Sequence, residues 1–269
     1  MSFQVIESFT RSKTGLEERN EDSIFLNDDF CAVFDGATSK TSNTLMGKSS
    51  GRLTVELITD YMNLLKWDAD GVTAIHGIQA MLCQYSAENH LQENGIYLCA
   101  SGLIYSRTRH ELWAVGDCQY AINGKVTKYN KLVDTLLSDL RAFAIHCMLL
   151  EGKKESDFLQ RDEARSLMMG FLRKQRIMEN ADDEYGYSVF SNHGKIRKFE
   201  IVSIEPGSEV VLASDGYPFL KETLQESECA LQIQLQQDPL CYGAFRSTKG
   251  LTAGNESFDD RSYLRFITD

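Results

Sequence analysis

Asn20-Glu21-Asp22-Ser23-Ile24-Phe25-Leu26-Asn27-Asp28-Asp29-Phe30-Cys31-Ala32-Val33-Phe34-Asp35-Gly36 decides the fold of this chain. Two short apolar runs, Ser23–Leu26 and Phe30–Phe34, flank Asn27-Asp28-Asp29, which is the pattern of a β-hairpin. If Asp28 and Asp29 form a two-residue loop, Asn27 faces Phe30, and counting outward puts Asp22 opposite Asp35. Directly opposed residues of an antiparallel pair have Cα atoms about 4.5–5.5 Å apart. Two carboxylates so placed repel, and a cation between them removes the penalty. A slip of one residue would instead send the two acids to opposite faces.

Two further acids stand at strand ends. Val210-Val211-Leu212-Ala213 is a buried-strand run that delivers Ser214-Asp215-Gly216. Phe258-Asp259-Asp260 precedes the last strand pattern, Arg261–Thr268. Oxygen-rich clusters without thiols favour hard cations such as Mg²⁺ or Mn²⁺. The glycines after Asp35 and Asp215 let backbone approach closely, so a carbonyl can add a ligand.

The rest of the chain predicts strands at both ends and helices between. Phe3–Phe9 alternates as a half-buried strand, Gly51–Leu65 and Ala74–Leu91 read as helices, and Tyr97–Tyr105, Glu111–Val115 and Gln119–Ile122 read as strands before an Asn123-Gly124 turn. Leu132–Leu150 and Glu155–Met178 predict long helices. Tyr187–Phe190, Arg197–Ile204 and Glu209–Ala213 return to strand, followed by a helix over Glu222–Gln236. Strand clusters separated by helix pairs argue for antiparallel sheets covered by helices rather than a βαβ repeat.

Composition narrows the function classes. The 269 residues fit one layered domain spanning 1–269. With 28 Lys and Arg against 39 Asp and Glu, the net charge is −11, a poor balance for nucleic acid. There is no apolar run of about 20 residues for a membrane span. The N-terminus lacks the pattern of a secretory signal, so a cytoplasmic location is expected. The 7 cysteines include no Cys-x-x-Cys pair, which argues against zinc and for reduced thiols. No Cys-x5-Arg loop marks a cysteine-based phosphatase.

Six blocks, in order, resemble the metal-dependent protein phosphatases of type 2C. They are Asn20-Glu21-Asp22, Ala32-Val33-Phe34-Asp35-Gly36, Ala100-Ser101-Gly102, Ala114-Val115-Gly116-Asp117-Cys118, Leu212-Ala213-Ser214-Asp215-Gly216 and Asp259-Asp260-Arg261-Ser262. The resemblance implies an α+β fold, a four-layer αββα sandwich with two central antiparallel sheets flanked by helices. It implies two Mn²⁺ or Mg²⁺ ions per chain, with a weak third. Asp35 would bridge the two ions, the Gly36 carbonyl would bind one, and Asp215 and Asp259 would bind the other. Glu21 and Asp22 would hold metal-bound waters, and Asp117 would match the third-metal acid. The implied reaction is hydrolysis of phosphoserine or phosphothreonine in a protein partner by a monomer.

Two departures stand out. The position of the family's phosphate-gripping Arg carries Glu17, with Arg19 the nearest replacement and Arg11 and Lys13 further away. Many members have a His after Asp-Gly, where this chain has Ala37-Thr38-Ser39. None of His76, His90, His110, His146 or His193 lies in a block. The alternative is the same fold with weakened chemistry, a pseudophosphatase serving as a phosphoprotein-binding module.

Overall fold

The computed structural model describes residues 3–38, 40, 43–45 and 47–269; Ser39 lies outside them. In chain order the elements are β1 (Gln4–Arg11), a 3-10 turn (Glu17–Arg19), β2 (Asp22–Leu26), β3 (Phe30–Gly36), α1 (Ser50–Leu64), α2 (Gly71–Glu88), β4 (Cys99–Ser106), β5 (Glu111–Val115), β6 (Gln119–Ile122) and β7 (Lys125–Lys128). There follow α3 (Leu132–Leu150), α4 (Glu155–Gln160), α5 (Glu163–Lys174), a 3-10 turn (Gln175–Met178), β8 (Phe190–Ser191), β9 (Glu200–Ser203), β10 (Glu209–Ala213), α6 (Leu224–Gln237) and β11 (Arg261–Ile267).

The strands form two antiparallel sheets. One has the order β1-β11-β10-β6-β7, the other β2-β3-β4-β5-β9, with β8 pairing β4. Period-two alternation makes them pack face to face. Cys31, Val33, Leu103, Tyr105 and Leu112 of one sheet meet Tyr120, Val210, Leu212, Leu264 and Phe266 of the other in a single buried cluster. The opposite residues of the second sheet, Phe30, Ala32, Phe34, Ile104 and Trp113, bury against Val55, Ile58 and Met62 of α1 and Ile75, Ile78 and Leu82 of α2. The outer face of the first sheet packs Ala121, Val211, Ala213 and Tyr263 against Tyr217, Leu220 and Leu224 at the start of α6. The predicted α+β class and paired antiparallel sheets are thus present.

Local chemistry sets the boundaries. Ser49 caps α1 by accepting from the Arg52 N–H at 3.3 Å, and Asp70 caps α2 by accepting from the Thr73 N–H at 2.9 Å. A two-residue loop joins Ile122 to Lys125, with Asn123 and Gly124 both at positive φ, as a twisted hairpin requires. That turn leads into β7, which the sequence reading leaves out.

The helix expected over Glu155–Met178 is broken in two. The Asp162 side chain accepts from the Arg165 N–H at 2.7 Å and starts a new helix. Asp162 also pairs with Arg141 at 2.7 Å, and that pairing fixes the break. The strand expected over Tyr187–Phe190 is reduced to β8. Asn180 holds this segment through its amide instead, donating to the Val189 and His193 carbonyls at 3.0 Å each.

Among the described residues, no helix is long and apolar enough to cross a membrane.

Candidate metal centre

The hairpin brings the first two acids together. Asp22 and Asp35 are Cα partners across β2 and β3. Asp22 is almost fully buried, and no hydrogen bond of ordinary geometry reaches either of its carboxylate oxygens, although Ser214 is near enough to favour the ionised form. Burial pushes the Asp22 carboxyl well above its ordinary range, with Asp260, Asp259 and Asp215 adding to the shift. Asp35 shifts the same way, first through burial and then through Asp22, Asp215, Asp259 and Asp117.

The central strands of the other sheet supply the remaining acids. β10 runs into Asp215 and β11 starts just after Asp260, and Ser214 ties the two through its N–H to the Ser262 carbonyl at 3.1 Å and its hydroxyl to the Ser262 N–H at 2.9 Å. Gly216 is required here, because a Cβ on it would sit 2.0 Å from the Asp260 carbonyl oxygen. Burial, Asp259 and Asp117 push Asp215 up to about 6.

Glu21, Asp35, Gly36, Asp117, Asp215 and Asp259 all line one cleft of about 830 Å³. Glu21 accepts hydrogen bonds from Thr38 and Ser49, and its carbonyl accepts from the Gly36 N–H at 3.1 Å. Asp260 ties the start of the chain to this wall, accepting from the Lys13 N–H at 2.7 Å and the Glu21 N–H at 3.0 Å.

Cations face these acids. Lys249 forms an ion pair with Asp259 Oδ2, and Lys13 Nζ lies 3.6 Å from Asp259 Oδ1 and 3.3 Å from Asp260 Oδ2. Burial would raise Asp259, but the Lys249 and Lys13 ammonium groups outweigh it and hold the carboxyl below its ordinary value. Asp117 is likewise lowered against its burial by Lys131, whose Nζ lies 2.8 Å away, while Ser101 donates to its other oxygen at 2.6 Å. Lys40, Lys128, Arg165 and Arg246 also line the cleft. Burial, then Lys249 and Arg165, lowers Lys40 to about 8.

The fold therefore gathers Glu21, Asp22, Asp35, Gly36, Asp117, Asp215 and Asp259 at one end of the two sheets. Arg19 is not gathered with them. It is exposed on the 3-10 turn and does not line the cleft. Arg11 is paired with Glu256 on the surface. Lys13 does line the cleft, and sequence reasoning had ranked it behind Arg19. Lys249, Lys131 and Arg165 carry no sequence signal, because each reaches the site from a segment outside the six blocks. No histidine lines the cleft among the described residues.

The donors are carboxylates and a carbonyl, the set that suits Mg²⁺ or Mn²⁺. Buried Asp22, opposite Asp35 and without a hydrogen bond of ordinary geometry to its carboxylate, fits a centre completed by a cation. Among the described residues, no three acids are drawn into a closed ligand set. On the Asp259 and Asp117 sides, lysines supply the counter-charge.

No protein-family profile matches the chain, and no curated protein matches it by sequence. Solved structures do match. PppA, a key regulatory component of T6SS in Pseudomonas aeruginosa, is 12% identical, with a TM-score of 0.52 over 100% of this chain and 99% of that one. The catalytic domain of the serine/threonine protein phosphatase PstP, in complex with two manganese ions, is 14% identical, with a TM-score of 0.52 over 98% and 99%. The Mycobacterium tuberculosis phosphatase PstP/Ppp is 15% identical, with a TM-score of 0.51 over the same shares. This chain therefore shares the fold of these serine/threonine protein phosphatases.

Proposed function

We propose that the chain is a divergent bacterial member of that phosphatase family and hydrolyses phosphoserine or phosphothreonine in a protein substrate. The observation that carries this reading is the convergence of Asp35, Asp215 and Asp259 from two sheets on the lining of one open cleft, with buried Asp22 directly opposite Asp35. Close carboxylates repel one another, and a bound cation relieves that cost.

Asp35, the Gly36 carbonyl, Asp215 and Asp259 would hold two ions, Mn²⁺ or Mg²⁺. Glu21 and Asp22 would order water beside them, and Asp117 would serve a weaker third ion. Bound divalent ions supply water of lowered pKa and positive charge against phosphoryl oxygens.

The chain's own groups do the rest. Glu21, oriented by Thr38 and Ser49, presents an acceptor that fixes the direction of a water proton. Lys13, Lys40 and Arg165 on the cleft wall would meet the outer oxygens of a phosphate dianion where the family's Arg is missing. No imidazole lines the cleft among the described residues. A cleft of about 830 Å³ admits a phosphorylated side chain with its flanking backbone.

The seven cysteines are all free, which fits a reducing, cytoplasmic setting. A monomer completes the proposal.

A second reading has one observation in its favour: the lysine pairs at Asp259 and Asp117 occupy two of the expected ligands. On that reading the cleft binds a phosphoprotein and turns it over weakly or not at all. Hydrolysis of p-nitrophenyl phosphate and of a phosphothreonine peptide, with and without added Mn²⁺, separates the two. Metal-dependent turnover supports the enzyme. Peptide binding without turnover supports the binding module.

A further inference from the structure

We propose that Lys249 is a tethered counter-ion that competes with a divalent cation for Asp259 and so sets the metal affinity of that half of the centre. The inference rests on the metal-dependent reading above.

The two halves of the cluster differ. On the hairpin side, among the described residues, no cation pairs with Asp22 and no hydrogen bond of ordinary geometry reaches either of its oxygens. On the β11 side, both Asp259 oxygens are engaged. Oδ1 accepts from the Asp260 N–H at 3.0 Å and faces Lys13 Nζ at 3.6 Å, and Oδ2 is paired with Lys249.

Lys249 is held in place by its backbone, unlike an ordinary surface lysine. The buried Arg141 guanidinium donates to the Leu240 carbonyl at 2.7 Å and the Ser247 carbonyl at 3.1 Å. Arg165 donates to the Thr248 carbonyl, and the Leu251 N–H donates to the Pro239 carbonyl at 2.8 Å. Gly250 is packed so closely that a Cβ on it would lie 2.6 Å from the Leu240 carbonyl oxygen. Residues 247–251 are thus pinned on either side of the lysine.

A hard divalent ion bound by Asp259 would sit about 2.0–2.6 Å from a carboxylate oxygen. An ammonium on the same carboxylate would then face a doubly charged cation at close range. Loading that half requires Lys249 to withdraw, and the lost ion pair appears as weaker metal binding. The same pair neutralises Asp259 in the metal-free protein.

The test is calorimetric titration of the chelator-treated full chain with Mn²⁺, comparing wild type with Lys249→Met. The expected result is a tighter and a weaker site in wild type. Lys249→Met should tighten the weaker site at least tenfold, leave the tighter within about threefold, and melt at a lower temperature when metal-free. An unchanged or weakened second site in a folded Lys249→Met protein overturns the proposal.

If the metal-free variant does not fold, wild type alone decides. Acylation of Lys249 by acetic anhydride, read by mass spectrometry, should rise when Mn²⁺ is added, and unchanged labelling overturns the proposal. Equal binding by both proteins overturns this inference alone. No Mn²⁺ bound by either overturns the metal-dependent function with it.

Discussion

Asp22 and Asp35 stand directly opposite each other across the β2–β3 pair, Asp22 buried and Asp35 half-buried on the cleft wall, and both are pushed toward the protonated form. Their opposition costs stability when no cation lies between them. Asp35→Asn should therefore stabilise the chelator-treated protein by about 1 kcal/mol, which is about 2–4 °C in Tm for a chain of this size. The same variant should lose the rise in Tm that Mn²⁺ gives wild type. Thermal melts with EDTA and with Mn²⁺ check both. A destabilised variant that keeps the Mn²⁺ shift would contradict the assignment of Asp35.

Glu179 gives a pH dependence separate from the cluster. It is 6% exposed, one of its carboxylate oxygens has no partner, and burial lifts it to about 7 against the pull of Arg176. An acid with a raised folded pKa keeps its proton in the native state and loses it in the unfolded one. Its presence therefore costs nothing near pH 4, and the cost grows as pH rises from about 4.5 to about 7. Glu179→Gln should be more stable than wild type by roughly 2–3 kcal/mol at pH 8, with the gap closing toward pH 4. Urea unfolding across that range reads the gap directly. A difference independent of pH would rule the mechanism out.

Arg19 lies on the surface, away from the cleft. Arg19→Ala should leave stability within about 0.5 kcal/mol and kcat/KM within about twofold. A tenfold loss in steady-state kinetics with a phosphopeptide would return Arg19 to the phosphate site.

The hairpin register was legible because one loop, Asp28-Asp29, fixes the count for every pair beyond it. Strands β5, β6 and β10 were legible because each is a short, nearly continuous apolar run, the pattern of a strand buried on both faces. The split of the 155–178 segment was not, because it depends on Asp162 meeting Arg141 from another helix.

Asp35, Asp215 and Asp259 followed from strand-end motifs, since a buried strand delivers the residues at its end to a fixed place, whereas Asp117 came only from the family resemblance. The cations did not. Lys249 reaches Asp259 from a loop, held there by Arg141 and Arg165, and no local pattern encodes a contact made through two other elements. Arg19 was favoured over Lys13 on sequence proximity to the strand carrying Asp22. The backbone N–H of Lys13 instead anchors on Asp260, and that anchor brings its side chain to the acids.

The most direct measurement is the rate of phosphate release from a phosphothreonine peptide by the full chain, first stripped of metal with EDTA and then resupplied with Mn²⁺ or Mg²⁺. The account predicts no turnover in the stripped protein, recovery on adding either ion, and no recovery in Asp35→Asn. Turnover that survives thorough chelation, or a protein that binds two ions yet releases no phosphate, would contradict it.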